Sequence, residues 1–120
     1  MIGSRPDFIE RGTIVQADLN PRRGSEQSGD RPAVVVSATA MTVGSTITVI
    51  PFTRTIPTKD RPYEVVLAPA ETGLPDVSVA LIHHIRVLDK QFILDRHRGQ
   101  VTDAGMARID AAIRVVLGLG

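Results

Sequence analysis

No apolar run in the chain is longer than the four residues Ala33-Val34-Val35-Val36, and that shortness constrains the fold more than any other feature. A β-branched run this brief, opened by Pro32, reads as a strand buried on both faces. It is also far short of the roughly 20 apolar residues that cross a bilayer as a helix. Most of the chain follows the same strand logic. Val15, Ala17 and Leu19 alternate with Gln16 and Asp18, the period of a half-buried strand, which Asn20-Pro21 ends. Thr46-Ile47-Thr48-Val49 alternates again, with Pro51 predicting a bulge or an edge near its end. Residues 63–67 and 77–81 are strands by β-branched content, separated by a turn region over 69–75, and 85–88 continues the sheet after a kink.

The period then changes. Met106, Ile109, Ile113 and Val116 recur at helical spacing, with Thr102 as N-cap, Asp103 at the positive helix start and Gly118 as the stop. A short helix over residues 89–94 is weakly signalled. Two polar segments, 22–31 and 54–62, read as long exposed loops. Short strands, long polar loops and one terminal helix predict a mainly β, α+β domain. Its expected form is a small, curved, partly closed barrel of antiparallel strands with the helix packed on one side. At 120 residues the chain is expected to be one domain over 1–120, with residues 1–10 a loosely ordered extension.

Composition narrows the function classes. The net charge is +1 and the pI near 8.3, so contact with a polyanion must come from local arginine clusters. Such clusters stand at Arg22-Arg23 and at Arg96-His97-Arg98. Phe8, Phe52, Tyr63 and Phe92 are the only aromatics, which argues against the stacking platform of a passive single-strand binder. The absence of cysteine rules out a disulfide framework, a thiolate nucleophile and a Cys-based zinc site. Residues 1–10 hold no apolar segment of the kind found in signal peptides, so a cytoplasmic protein is expected.

The most unusual stretch is Gly24-Ser25-Glu26-Gln27-Ser28-Gly29-Asp30-Arg31-Pro32, two glycines around polar groups and then an arginine at the start of a strand. Pro32 biases Arg31 towards an extended backbone and narrows the directions of its side chain. A guanidinium held in this way suits bidentate binding of a phosphate, although a loop arginine is more often merely solvated. Thr53 ends the third strand, with Phe52 directed inward and Thr53 outward or into a cleft. The adjacent His83-His84 would point to opposite faces of a strand and so could not share a metal ion unless the backbone kinked. Either imidazole is a candidate proton carrier. No P-loop, dinucleotide fingerprint or nucleophile elbow is present.

In order along the chain come Arg11-Gly12-Thr13-Ile14-Val15, Asp18-Leu19-Asn20-Pro21, Gly24-Ser25-Glu26-Gln27 and Arg31-Pro32-Ala33-Val34-Val35-Val36-Ser37. Pro51-Phe52-Thr53, Ser78-Val79-Ala80-Leu81 and Ile85-Arg86-Val87-Leu88-Asp89-Lys90 follow. Each block alone is weak, but in this order, from about residue 10 to 119, the chain resembles the MazF/PemK toxin family. The resemblance implies an SH3-like barrel, a homodimer and a sequence-specific, metal-independent endoribonuclease acting on single-stranded RNA without a cofactor. It also implies a cognate antitoxin whose acidic, disordered segment blocks the RNA groove.

Residue by residue, the resemblance puts the catalytic arginine at Arg31 and the catalytic hydroxyl at Thr53. Glu26 matches a motif glutamate tied to activity, and Arg86 an arginine near the RNA. Gly24, Ser25, Gln27, His83 and His84 complete the expected substrate contacts. This chain departs from the family in carrying His84 where a glutamine is common, His83 where several members have an acid, and Gln16 near a usual aromatic. The expected chemistry is attack by a ribose 2′-OH on its own 3′-phosphate, which needs no protein nucleophile. Three other readings stand beside it: a non-catalytic SH3-like toxin that poisons a DNA topoisomerase, a generic SH3-like protein-binding module, and a catalytically inactive family member.

Overall fold

The structure is a computed structural model describing residues 6–20 and 29–120. Among these residues the chain forms β1 (Thr13–Asp18), β2 (Asp30–Val35), β3 (Thr46–Thr53), β4 (Glu64–Leu67), a single helical turn α1 (Pro69–Thr72) and β5 (Ser78–Leu81). Then come β6 (Arg86–Asp89), β7 (Ile93–Gln100) and the helix α2 (Asp103–Val116). The strands pair antiparallel in the order β4-β5-β3-β2-β1-β7, with β6 joining the first half of β3. The result is a mainly antiparallel sheet with a C-terminal helix, as the period change at residue 102 predicts. No helix among the described residues is long and apolar enough to cross a membrane.

The three central strands are buried on both faces. Ile14, Val34 and Ile50 pack under α2 with Leu67, Ile82 and Ile109. Their neighbours Val15, Val35 and Val49 fill a second core with Ile47 and Leu88. Alternation across the strands therefore feeds two cores, and β1 is more deeply buried than its alternating polar residues imply. β2 opens two residues earlier than Pro32, at Asp30, so Arg31 is a strand residue and not a loop residue.

Pro51 marks no bulge but falls at a local edge near the end of β3, as one of the two expected readings has it. The β2–β3 register runs unbroken through Ala33↔Pro51, Val34↔Ile50 and Val35↔Val49. Val36 N–H donates to Thr48 C=O at 2.9 Å, so by strand alternation Thr48 faces β2 and Pro51 faces the other edge. There β3 changes partner, from β6 at Val49 to β5 at Phe52. The missing donor thus falls where the ladder needs none.

The weakly signalled helix over 89–94 is a single 3-10 turn, Lys90–Phe92, leading into β7. Sequence reading misses β7 because its side chains, Asp95-Arg96-His97-Arg98, are charged and exposed. Those charges suit a sheet edge, where they discourage pairing with another chain. β7 approaches α1 at Gly99, where an added Cβ would lie 2.3 Å from the carbonyl oxygen of Thr72. Because the obstacle is backbone, Gly99→Ala is expected to destabilise by about 1–3 kcal/mol. Thermal unfolding checks this, and an unchanged melting temperature would contradict the close approach.

The terminal helix forms as its sequence signals require. Thr102 Oγ1 accepts from Gly105 N–H at 3.2 Å, Asp103 sits in the first turn, and Gly118 adopts a left-handed φ of 70° just past the end. Ile109 is fully buried, while Met106, Ile113 and Val116 pack partly buried against the same core. Arg11 ties the helix to the sheet, pairing with Asp110 at 2.7 Å and donating from Nε to Val36 C=O at 2.8 Å.

Candidate active site

Strand pairing brings Arg31 and Thr53 together. The β2–β3 pairing ends at Ala33↔Pro51, and Arg31 and Thr53 each lie two residues beyond it, at the same end of the two strands. Both are half-buried and line one open pocket of about 390 Å³. Phe52, between Pro51 and Thr53, is only 2% exposed, so it anchors the end of β3 in the core while Thr53 faces the cleft.

Thr53 is oriented by its own loop. Thr55 N–H donates to Thr53 Oγ1 at 3.3 Å, a local turn that occupies one lone pair of the hydroxyl. The hydroxyl proton is then left to donate in another direction. Arg31 pairs with Ala17 of β1, which fixes its backbone on that side. A guanidinium and a hydroxyl presented from paired strands into one cleft form a donor set for an anionic tetrahedral or pentacoordinate centre.

The rest of the pocket is charged. Arg54 and Arg98 add to Arg31, opposed by Asp30 and Asp76. Arg54 and Asp76 pair loosely at 3.7 Å with both side chains well exposed, a contact of little energetic weight. Arg98 donates to Gln16 Oε1 at 2.8 Å across the β1–β7 edge. Of the second arginine cluster, then, Arg98 reaches the site. Arg96 instead bonds Asp7 at 2.9 Å and holds that carboxyl below its ordinary range. Arg54 could have been inferred as the next residue after Thr53. Gln16 and Asp76 come from elements whose approach depends on long-range pairing, and nothing local announces them.

The other predicted residues divide. Gly24, Ser25, Glu26 and Gln27, with Arg22 and Arg23, lie outside the described residues. His83, His84 and Arg86 do not line the Arg31–Thr53 pocket. Arg86 pairs with Val49, four residues before Thr53 and so about 13 Å along β3. The two histidines are on a 3-10 turn, Ile82–His84, and not on an extended strand. That kink overturns the expectation of opposite faces: the rings lie 4.2 Å apart, edge to face, and His83 in turn packs on Tyr63 at 4.3 Å. Among the described residues no group of three or more His, Asp or Glu is placed to hold a metal ion.

A family model of PemK-like, MazF-like toxins of type II toxin–antitoxin systems matches residues 10–117. A relative named endoribonuclease MazF9, from Mycobacterium tuberculosis, is 41% identical over 118 residues, covering 93% of this chain and 98% of its own. Among solved structures, MazF from Deinococcus radiodurans is similar with a TM-score of 0.78 at 29% identity, covering 93% of this chain and 98% of that one. An endoribonuclease in complex with its cognate antitoxin, from Mycobacterial species, is similar at a TM-score of 0.76 and 26% identity, covering 92% and 96% of the two chains.

Proposed function

The chain belongs to the PemK-like, MazF-like toxins of type II toxin–antitoxin systems and is a homologue of a MazF endoribonuclease, and from that premise we propose that it cuts single-stranded RNA at short specific sequences without a metal ion. The observation that carries the reading is the convergence of Arg31 and Thr53 on one pocket. The ribose 2′-oxygen attacks the adjacent phosphorus, the bond from phosphorus to the 5′-oxygen breaks, and a 2′,3′-cyclic phosphate and a 5′-OH result. The 2′-OH proton leaves to a base and the departing 5′-oxygen gains one, so no water is consumed. Because the nucleophile belongs to the substrate, the protein supplies alignment, charge and proton transfer.

Arg31 neutralises the charge that grows on the pentacoordinate phosphorus, and Thr53 donates to a non-bridging or leaving oxygen. Glu26, which matches a motif glutamate tied to activity, completes the catalytic set in this scheme. The active unit is a homodimer, held in check by a cognate antitoxin with an acidic, disordered segment. The toxin family and the neighbour solved with its cognate antitoxin support that partner, and the three arginines of the pocket suit an acidic ligand as well as RNA.

The test is incubation of the purified protein with one unstructured and one structured RNA in excess EDTA, with the ends mapped chemically. Cuts confined to unpaired segments, bearing cyclic phosphate and 5′-OH ends, are expected. Loss of all cutting in EDTA would overturn the metal-free mechanism.

A further inference from the structure

Thr53 lies on a saddle between two pockets. Beyond it from Arg31, a second open pocket of about 380 Å³ is lined by Thr53, Thr55, Ile56, Arg61, Glu64 and Leu81, among others. Thr53 and Thr55 belong to both. A phosphate gripped at Thr53 would therefore have one neighbouring nucleotide directed to each side. The second pocket is of a size that holds a small organic group.

We propose that this second pocket is a nucleobase subsite in which the Glu64 carboxylate reads a guanine beside the cut. The inference rests on the ribonuclease reading above and deepens it. Glu64 opens β4, and its side chain is only 8% exposed. A buried carboxylate is not tolerated without a partner, and here Arg61 supplies one, Nη1 to Oε1 at 3.1 Å. The pair is closed by a turn in which Glu64 N–H donates to Arg61 C=O at 3.2 Å. Among the described residues Arg61 is the only partner of that carboxylate.

The held carboxylate can accept further bonds, since each oxygen carries two lone pairs. Unpaired bases are read by bonds to their Watson–Crick edges and by contact with their faces. Of the four RNA bases, only guanine presents a ring N–H and an exocyclic amino group side by side, matching the two oxygens of one carboxylate. Adenine and cytosine each set an acceptor beside the amino donor, and uracil flanks one donor with two acceptors. The exposed Ile56 and the buried Leu81 supply apolar contact for the base faces. Arg61 also lies 6.0 Å from the Tyr63 ring centroid, a contact that helps fix the guanidinium.

The experiment compares cleavage of a degenerate single-stranded RNA pool by the wild-type protein, Glu64→Gln and Arg61→Ala. It adds one defined substrate in which the guanine beside the cut is replaced by inosine, which lacks the 2-amino group. Wild type is expected to enrich guanine at one position flanking the cut and to lose roughly ten-fold in rate on inosine. Glu64→Gln should cut guanine and inosine substrates at equal rates, and Arg61→Ala should show a reduced preference. Unfolding curves for both variants establish that each is folded. A wild-type map without guanine at either flank, or an unchanged guanine-to-inosine ratio in both variants, overturns the subsite while leaving the nuclease reading intact. A wild-type protein that cuts no RNA removes the nuclease reading, and the subsite with it.

Discussion

Arg31→Ala is expected to lower the rate of RNA cleavage about 10²–10³-fold and to abolish toxicity, with the fold intact. The size follows from removing one preorganised donor aimed at charge that develops only in the transition state. The intact fold follows from position. Arg31 is half-buried at the start of β2, whereas the packing of that strand depends on the fully buried Ala33, Val34 and Val35. Arg31→Lys should recover little, because a point charge does not reproduce two parallel bonds to one phosphate. Single-turnover cleavage of one short oligonucleotide, beside an unfolding curve, measures both halves. Wild-type rates from a folded Arg31→Ala protein would remove the arginine from the mechanism.

Thr53→Val should lose about 10²-fold in the same assay. Valine keeps the β-branched shape that suits the end of β3, so the loss isolates the hydroxyl. It also gives up the bond from Thr55 N–H, an exposed contact of about 1 kcal/mol that affects stability far less than rate. Thr53→Ser, which restores the hydroxyl, should recover most of the activity. A Thr53→Val enzyme as fast as wild type would show that the hydroxyl contacts no reacting oxygen.

The fold was legible where local chemistry decides it. The helix at Thr102 to Gly118 declares its cap, stripe and stop, and the run at residues 33–36 declares a strand covered on both sides. β7 was not legible, because it is held by pairing with β1 and carries a charged, exposed face that reads locally as loop. The kink at His83-His84 was equally hidden, since nothing in two adjacent histidines specifies a 3-10 turn.

The site divides along the same line. Arg31 and Thr53 are singled out by the ordered sequence blocks, and the folded chain brings both to the lining of one pocket. Arg98 was visible as a charge but not as a neighbour of Gln16, because 82 residues separate them in sequence. Glu64 carries no local signal in the sequence. As an acid at the start of a strand it looks solvated, and only the folded chain shows it buried against Arg61 beside the pocket that shares Thr53.

The most direct measurement of the central claim is a double-mutant cycle on the cleavage rate of a single oligonucleotide, using wild type, Arg31→Ala, Thr53→Val and the double variant. If both groups hold one scissile phosphate, the double variant should be little slower than Arg31→Ala alone. Losses that simply multiply would place the two side chains on separate, uncoupled tasks and contradict the account.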